Sequence, residues 1–157
     1  MLEAFYKENY PIVRGYLLSL SGDPWIADDL TAETFLKAME KIDTYDPQYR
    51  PSTWLCTIAR NLYINLCRKK QRELPLEDEL PCPTPSPETL YIRKEMAESV
   101  IRAAGKLPAE QRCILFLRLQ SMSFRGIGLA LGKSENWARV TYFRAKSKIL
   151  SEMEETS

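Results

Sequence analysis

Residues 74–87, LPLEDELPCPTPSP, hold five of the chain's ten prolines. Proline fixes φ and lacks an amide proton, so a run this dense joins neither a helix nor a sheet ladder. With Glu77, Asp78 and Glu79 and little to bury, the segment reads as an extended acidic linker. It cuts the 157-residue chain into residues 1–73 and 88–157, each long enough for a small helical unit. Neither half shows the period-two alternation of a strand. The expected fold is all-α: two small helical domains joined by a Pro-rich acidic linker, the second a four-helix domain.

Apolar spacing places the helices. Phe5, Ile12, Tyr16, Leu17 and Leu20 predict a helix over Leu2–Ser21, which Pro11 should kink or divide. Ser21-Gly22-Asp23-Pro24 supplies a stop, an N-cap and a first-turn proline. The next helix runs from about Trp25 to Ile42, with an apolar stripe of Ile26, Leu30, Phe35, Leu36, Met39 and Ile42. A loop turning at Asp46-Pro47 follows. Ser52 or Thr53 then caps a third helix reaching Arg72, with Trp54 as core. Beyond the linker, helices are predicted over Ser86–Lys106, Pro108–Gln120, Phe124–Leu131 and from Ser134 to about Met153.

The charge balance of +1 names no partner, but its distribution does. Arg60, Arg68, Lys69, Lys70 and Arg72 fall in one stretch without an acid; Arg139, Arg144, Lys146 and Lys148 fall in another. Two basic segments flanking an acidic linker can touch a polyanion at two places. The chain has no histidine, which removes His-based metal sites and Ser-His-Asp or Cys-His catalysis. Its four cysteines form no CxxC pair and read as reduced, buried thiols. A cysteine nucleophile would lack its activating base, so an enzyme is not expected, nor any cofactor. No apolar run reaches the roughly 18 residues of a membrane span, and MLEAFYKENYP lacks a signal-peptide core. No membrane insertion is expected, and the cytoplasm is the default location.

The sharpest pattern is MSFRGIGLALGKSENWARVTYFRAKSK, Met122–Lys148. A short apolar helix, then Gly-x-Ser, then a longer helix is the helix-turn-helix pattern. Gly132 accepts the positive φ of a tight turn, and Ser134 can start the second helix. Trp137 or Ala138, with Val140, can face the core. Glu135, Asn136, Arg139, Thr141 and Tyr142 lie where a recognition helix meets base edges, and Arg144, Lys146 and Lys148 suit phosphates. A plain helical hairpin with a solvated basic face is the blander account of the turn taken alone.

Trp25–Arg72 supplies the second constellation. Ala27-Asp28-Asp29-Leu30, Glu33-Thr34-Phe35, Trp54-Leu55 and Ile58-Ala59-Arg60-Asn61 resemble the core of the extracytoplasmic-function (ECF, group 4) sigma factors of the sigma-70 family. The order of Leu107-Pro108, the helix-turn-helix and Arg144-Ala145-Lys146 is similar to that family's second domain. The resemblance implies sigma region 2 over residues 1–73, a linker over 74–87 and region 4 over 88–157. It implies that Asp28, Asp29, Leu30, Glu33 and Phe35 grip the β′ coiled-coil of core RNA polymerase, with the β flap as a further contact. Taken alone, Asp28, Asp29 and Glu33 would be better accounted for as a helix N-terminal turn complementing the macrodipole. The implied −10 promoter DNA contacts are Tyr45, Tyr49, Arg60, Asn61, Arg68 and Lys69. The implied −35 contacts are Ser134, Glu135, Asn136, Arg139, Thr141, Tyr142, Arg144 and Lys146. An anti-sigma factor, able to hold the protein at the membrane, is an implied partner. In the family the helix before the turn usually carries acids, where this chain has Arg125, Gly126 and Gly128; those glycines predict a close helix contact or local softness. The competing account is a stand-alone helix-turn-helix regulator, which would bind duplex DNA without polymerase and leaves the first half unexplained.

Overall fold

The computed structural model describes residues 2–73 and 105–155. Among them are six α-helices, one 3-10 turn and no strand. α1 is Leu2–Ser21 and α2 is Pro24–Glu40; a 3-10 turn, Ile42–Thr44, leads to α3, Pro51–Glu73. α4 is Ala109–Leu119, α5 Phe124–Leu131 and α6 Glu135–Glu155. The all-α expectation holds. The linker and most of the helix predicted over Ser86–Lys106 lie outside the described residues.

Local chemistry sets the boundaries. Gly22 takes φ 69°, and Asp23 accepts the Trp25 N–H at 2.9 Å to start α2, with Pro24 in its first turn. Ser123 accepts the Gly126 N–H at 3.0 Å to start α5. Gly132, at φ 69°, ends α5 in the left-handed region. Ser134 accepts the Trp137 N–H at 3.0 Å to start α6. Replacing either serine by alanine removes one first-turn partner. Each variant should lose about 1 kcal/mol, read as a lowered urea midpoint with an unchanged slope.

Two local expectations are refined. Of the kink or division expected at Pro11, the division does not occur: α1 runs through it, and the proline is exposed, so the carbonyl it frees meets water. α3 begins at Pro51, which suits a first helical position. Ser52 and Thr53 are therefore buried within its first turn and do not cap it.

α1, α2 and α3 pack on one another, and α6 packs on α4 and α5. The two sets also join: α4 lies on α1, and α5 lies on α3. One apolar core runs through both, from Val13, Tyr16, Leu17, Leu55 and Ala59 to Ile114, Leu117, Ile127 and Leu131. A side chain as deeply buried as Leu17 stabilises by roughly 2 kcal/mol. Buried polar groups in α2 are satisfied: the Thr31 and Thr34 hydroxyls donate to the carbonyls of Ala27 and Leu30 at 2.5 and 2.6 Å. Among the described residues no helix is long and apolar enough to cross a membrane.

The thiols divide. Cys56 and Cys113 are free and fully buried. Cys67, contrary to the expectation of four reduced thiols, is disulfide-bonded.

Candidate nucleic-acid interface

α2 turns one face inward and leaves another bare. Ala27, Leu30, Thr31, Thr34, Phe35 and Ala38 are buried. Phe35 sits in an aromatic cluster with Phe5, Tyr6 and Tyr10 at 4.8–6.4 Å between ring centres. Leu30 and Phe35, expected to meet a partner, are therefore core residues. The stripe predicted for α2 is corrected accordingly, since Leu36, Met39 and Ile42 point out. Asp28, Asp29 and Glu33 are exposed as expected, and Asp28 accepts from the Arg14 guanidinium at 2.7 Å. Sequence reasoning missed the outward row of Trp25 (80% exposed), Leu36 (62%) and Met39 (62%). With Asp29 and Ala32 they follow a 4-3-4-3 spacing, which is the signal that could have found them.

A second cluster surrounds the start of α3. The Tyr45 hydroxyl donates to the Tyr49 carbonyl at 2.6 Å, fixing the loop, and the Tyr45 ring lies 5.1 Å from that of Trp54. Trp54, expected in the core, is half-buried. Tyr49 receives a hydrogen bond from Arg125 of α5 at 3.0 Å. Arg60 is half-buried, its guanidinium so close to Gly132 that a Cβ there would lie 2.6 Å from its carbon. Asn61, Arg68 and Lys69 are exposed on α3. The structure thus groups Tyr45 and Tyr49 at the head of α3 and strings the cations along it.

The third cluster is α6. Ser134, Glu135, Asn136, Arg139, Arg144 and Lys146 are exposed, and Arg139 lies 3.5 Å from the Glu135 carboxylate. Thr141 is buried. The half-buried Tyr142 ring packs 5.6 Å from Phe124 and 5.3 Å from Phe143. Neither therefore presents its side chain fully outward as expected: helical spacing puts 141 and 142 on the same side as the fully buried Ala138 and Ala145. Ala138 is the inward residue; Val140 points out. Phe143, 53% exposed, joins Asn136, Arg139 and Val140 on the outer row and was missed. Gly128 is explained within this motif, where a Cβ would lie 2.8 Å from the Lys133 and Ser134 carbonyl oxygens. Gly126 faces Thr53 of α3, whose hydroxyl would be 3.0 Å from such a Cβ. Of the two alternatives expected, close helix contact fits Gly126, whereas Gly128 lies against the backbone of the turn.

Titration follows burial. Desolvation raises the Cys56 and Cys113 thiols well above their usual range and does the same to the Tyr16 phenol, with the two thiols adding to the effect on Tyr16. These thiols are neutral and inaccessible. Among the described residues no cluster of His, Cys, Asp and Glu could hold a metal ion.

Comparison with known proteins yields two family matches: residues 5–73 match Sigma-70 region 2, and residues 97–149 match Sigma-70, region 4. The chain is 31% identical over 140 residues to the ECF RNA polymerase sigma factor EcfG of Rhodopseudomonas palustris (strain TIE-1), covering 88% of this chain and 77% of that one. It is 29% identical to the ECF RNA polymerase sigma factor SigE of Mycolicibacterium smegmatis, covering 83% of this chain and spanning 52% of that relative. Among solved structures it is similar to the sigma factor RpoE in complex with the anti-sigma factor NepR from Bartonella quintana. The TM-score is 0.72 at 22% identity, over 98% of this chain and 96% of that one.

Proposed function

The chain belongs to the ECF sigma factors of the sigma-70 family, and we propose how its own residues divide the work of directing core RNA polymerase to promoters. The outward row of α2, Trp25, Asp29, Glu33, Leu36 and Met39, docks on the polymerase. A mixed apolar and acidic face suits a basic amphipathic partner such as the β′ coiled-coil; the second helical set contacts the β flap. Leu30 and Phe35 hold that row in place from beneath.

Tyr45, Tyr49, Arg60, Asn61, Arg68 and Lys69 receive the −10 element as single strand. Tyrosine faces stack on unpaired bases for roughly 1–3 kcal/mol each, Asn61 reads a base edge, and the cations meet phosphates. Holding unpaired bases shifts DNA toward its open state by the difference in affinity for the two forms. The outer row of α6 enters the major groove of the −35 duplex. Asn136, Arg139 and Glu135 are its base readers, and Arg144 and Lys146 its phosphate contacts. The polymerase performs the chemistry. This chain supplies no catalytic group, and the thiols of Cys56 and Cys113 are kept neutral by burial. It works in the cytoplasm, and an anti-sigma factor is a partner, as it is for the Bartonella protein of similar fold.

The single observation that carries this reading is the coverage of one chain by both regions, in order, with an outward α2 row that a stand-alone DNA-binding regulator would not need. Run-off transcription from a genomic promoter pool, with core polymerase and with or without the protein, tests it. Defined start sites should appear only with the protein present. Binding of duplex DNA by the protein alone, without stimulation of core enzyme, would favour the stand-alone regulator.

A further inference from the structure

The outermost row of α6 is apolar at its centre. At 3.6 residues per turn, Asn136, Val140, Phe143 and Ser147 fall on one line along the helix, opposite the buried Ala138, Thr141 and Ala145. Val140 is 39% exposed and Phe143 53%. The Phe143 ring is held from the side, 5.3 Å from the Tyr142 ring and 6.4 Å from the Phe124 ring. Lys146 borders the row on one side, Arg144 and Lys148 on the other, and all three are exposed. A solvated helix face carries polar residues on its outermost row. A core-facing stripe is ruled out as well, since the opposite row already meets the core. What is left is a strip that is apolar along the middle and cationic along both edges.

We infer that Val140 and Phe143 select thymine in the −35 duplex by its methyl group. The inference rests on the placement of α6 in the major groove proposed above. A helix with cationic edges settles between the two phosphate backbones, and its central row meets the floor of the groove. The C5-methyl of thymine is the apolar group that the base edges offer there. Seated against Val140 or Phe143, a methyl leaves water together with the side chain that covers it. A polar base edge in the same place would give up its water and gain no hydrogen bond. The two side chains are three residues apart, about 4.5 Å along the helix. That is close to the roughly 3.4 Å step of a DNA strand, so the two methyls belong to adjacent base pairs. Asn136 lies one turn toward the start of α6, about 6 Å from Val140 along the axis, and its amide suits an adenine some two steps away.

Selection from promoter duplexes randomised at the −35 element, by core polymerase carrying the full chain, supplies the sequence to test. Each thymine of the selected element is then replaced in turn by deoxyuridine, which keeps every hydrogen bond and removes only the methyl. Affinity of the complex for the labelled duplex, read by fluorescence anisotropy, should fall about 4-fold at each of two adjacent base pairs, the effect of one buried carbon. In Val140→Ser, an exposed change that should leave the helical circular dichroism as it is, one of the two losses should vanish while the other stays. Phe143→Ser should do the converse. Should that variant lose helix, Val140→Ser and the deoxyuridine series on wild type still decide the matter. A selected element without two adjacent A·T pairs, deoxyuridine without effect at every position, or methyl losses of the same size in wild type and in Val140→Ser would each overturn the inference. A complex that initiates transcription but selects no −35 sequence would overturn the placement of α6 on DNA and the inference with it. Failure to initiate at any promoter would instead count against the function proposed above.

Discussion

The double variant Leu36→Asp, Met39→Asp should lose core-polymerase affinity by roughly a thousandfold while keeping its thermal midpoint within a few degrees. Both side chains are 62% exposed, so the fold loses almost nothing when they become polar; surface changes of this kind usually stay within about 0.5 kcal/mol. In a protein interface each would be desolvated against the partner. Losing about 2 kcal/mol at each position compounds to roughly 4 kcal/mol, which is about three orders of magnitude in a dissociation constant. The contrast on the same helix is Leu30→Ala. That residue is 5% exposed, and the change should cost about 2–5 kcal/mol of folding stability. Titration of labelled core polymerase together with thermal denaturation separates the two. Normal polymerase affinity in the Leu36, Met39 variant would move the docking surface off α2.

The contrast also shows where sequence reasoning reached its limit on α2. Helical spacing alone fits two apolar rows on this helix, one through Leu30 and one through Leu36. Which row faces inward depends on the rotation at which α1 and α3 take the helix, and that is a tertiary quantity. The buried row uses Ala27, Thr31, Thr34 and Ala38, small or polar residues that a search for large apolar side chains passes over. In α6 the same cause operates: Ala138 and Ala145 are fully buried, and their row carries Thr141 and Tyr142 inward. The caps and turns were legible because their chemistry is local. Asp23, Ser123, Gly132 and Ser134 each act within four residues of themselves, and all four sit where the sequence puts them. Pro51 lay outside that logic, since a proline after an extended residue starts a helix as readily as the serine following it. The seating of α5 on α3 was hinted at only by Gly126. Nothing in the sequence around it told which surface would approach; the partner residue Thr53 lies far away in sequence.

Raising the pH should unfold this protein from the inside, with half the chains unfolded near pH 10–11. Burial holds Cys56, Cys113 and Tyr16 well above their usual values and pushes Tyr63 up to about 12. In each case the folded value exceeds the unfolded one. The stability these groups contribute is therefore whole below the unfolded value, near 8.5 for a thiol and 10 for a phenol, and is lost as the pH climbs toward the folded value. Each thiol removes about 1.4 kcal/mol per pH unit above roughly 8.5. By pH 10.5 the two thiols remove about 5 kcal/mol and the two phenols between them about 1–2 more. That total matches the low end of the 5–15 kcal/mol that holds an ordinary domain together. The double variant Cys56→Ala, Cys113→Ala should show a flat stability curve up to about pH 10, where the phenols take over, and a higher alkaline midpoint. Its stability at pH 7 should be lower by about 1 kcal/mol or more, for the volume lost. Urea titrations at half-unit pH intervals measure both curves, and parallel curves above pH 9 would show that the thiols are not what fails. Tyr16 adds a structural consequence: its proton makes the bond to the Ala130 carbonyl. Ionising it removes a tie between α1 and α5, so scattering at high pH should record the two helical sets parting as the fold weakens.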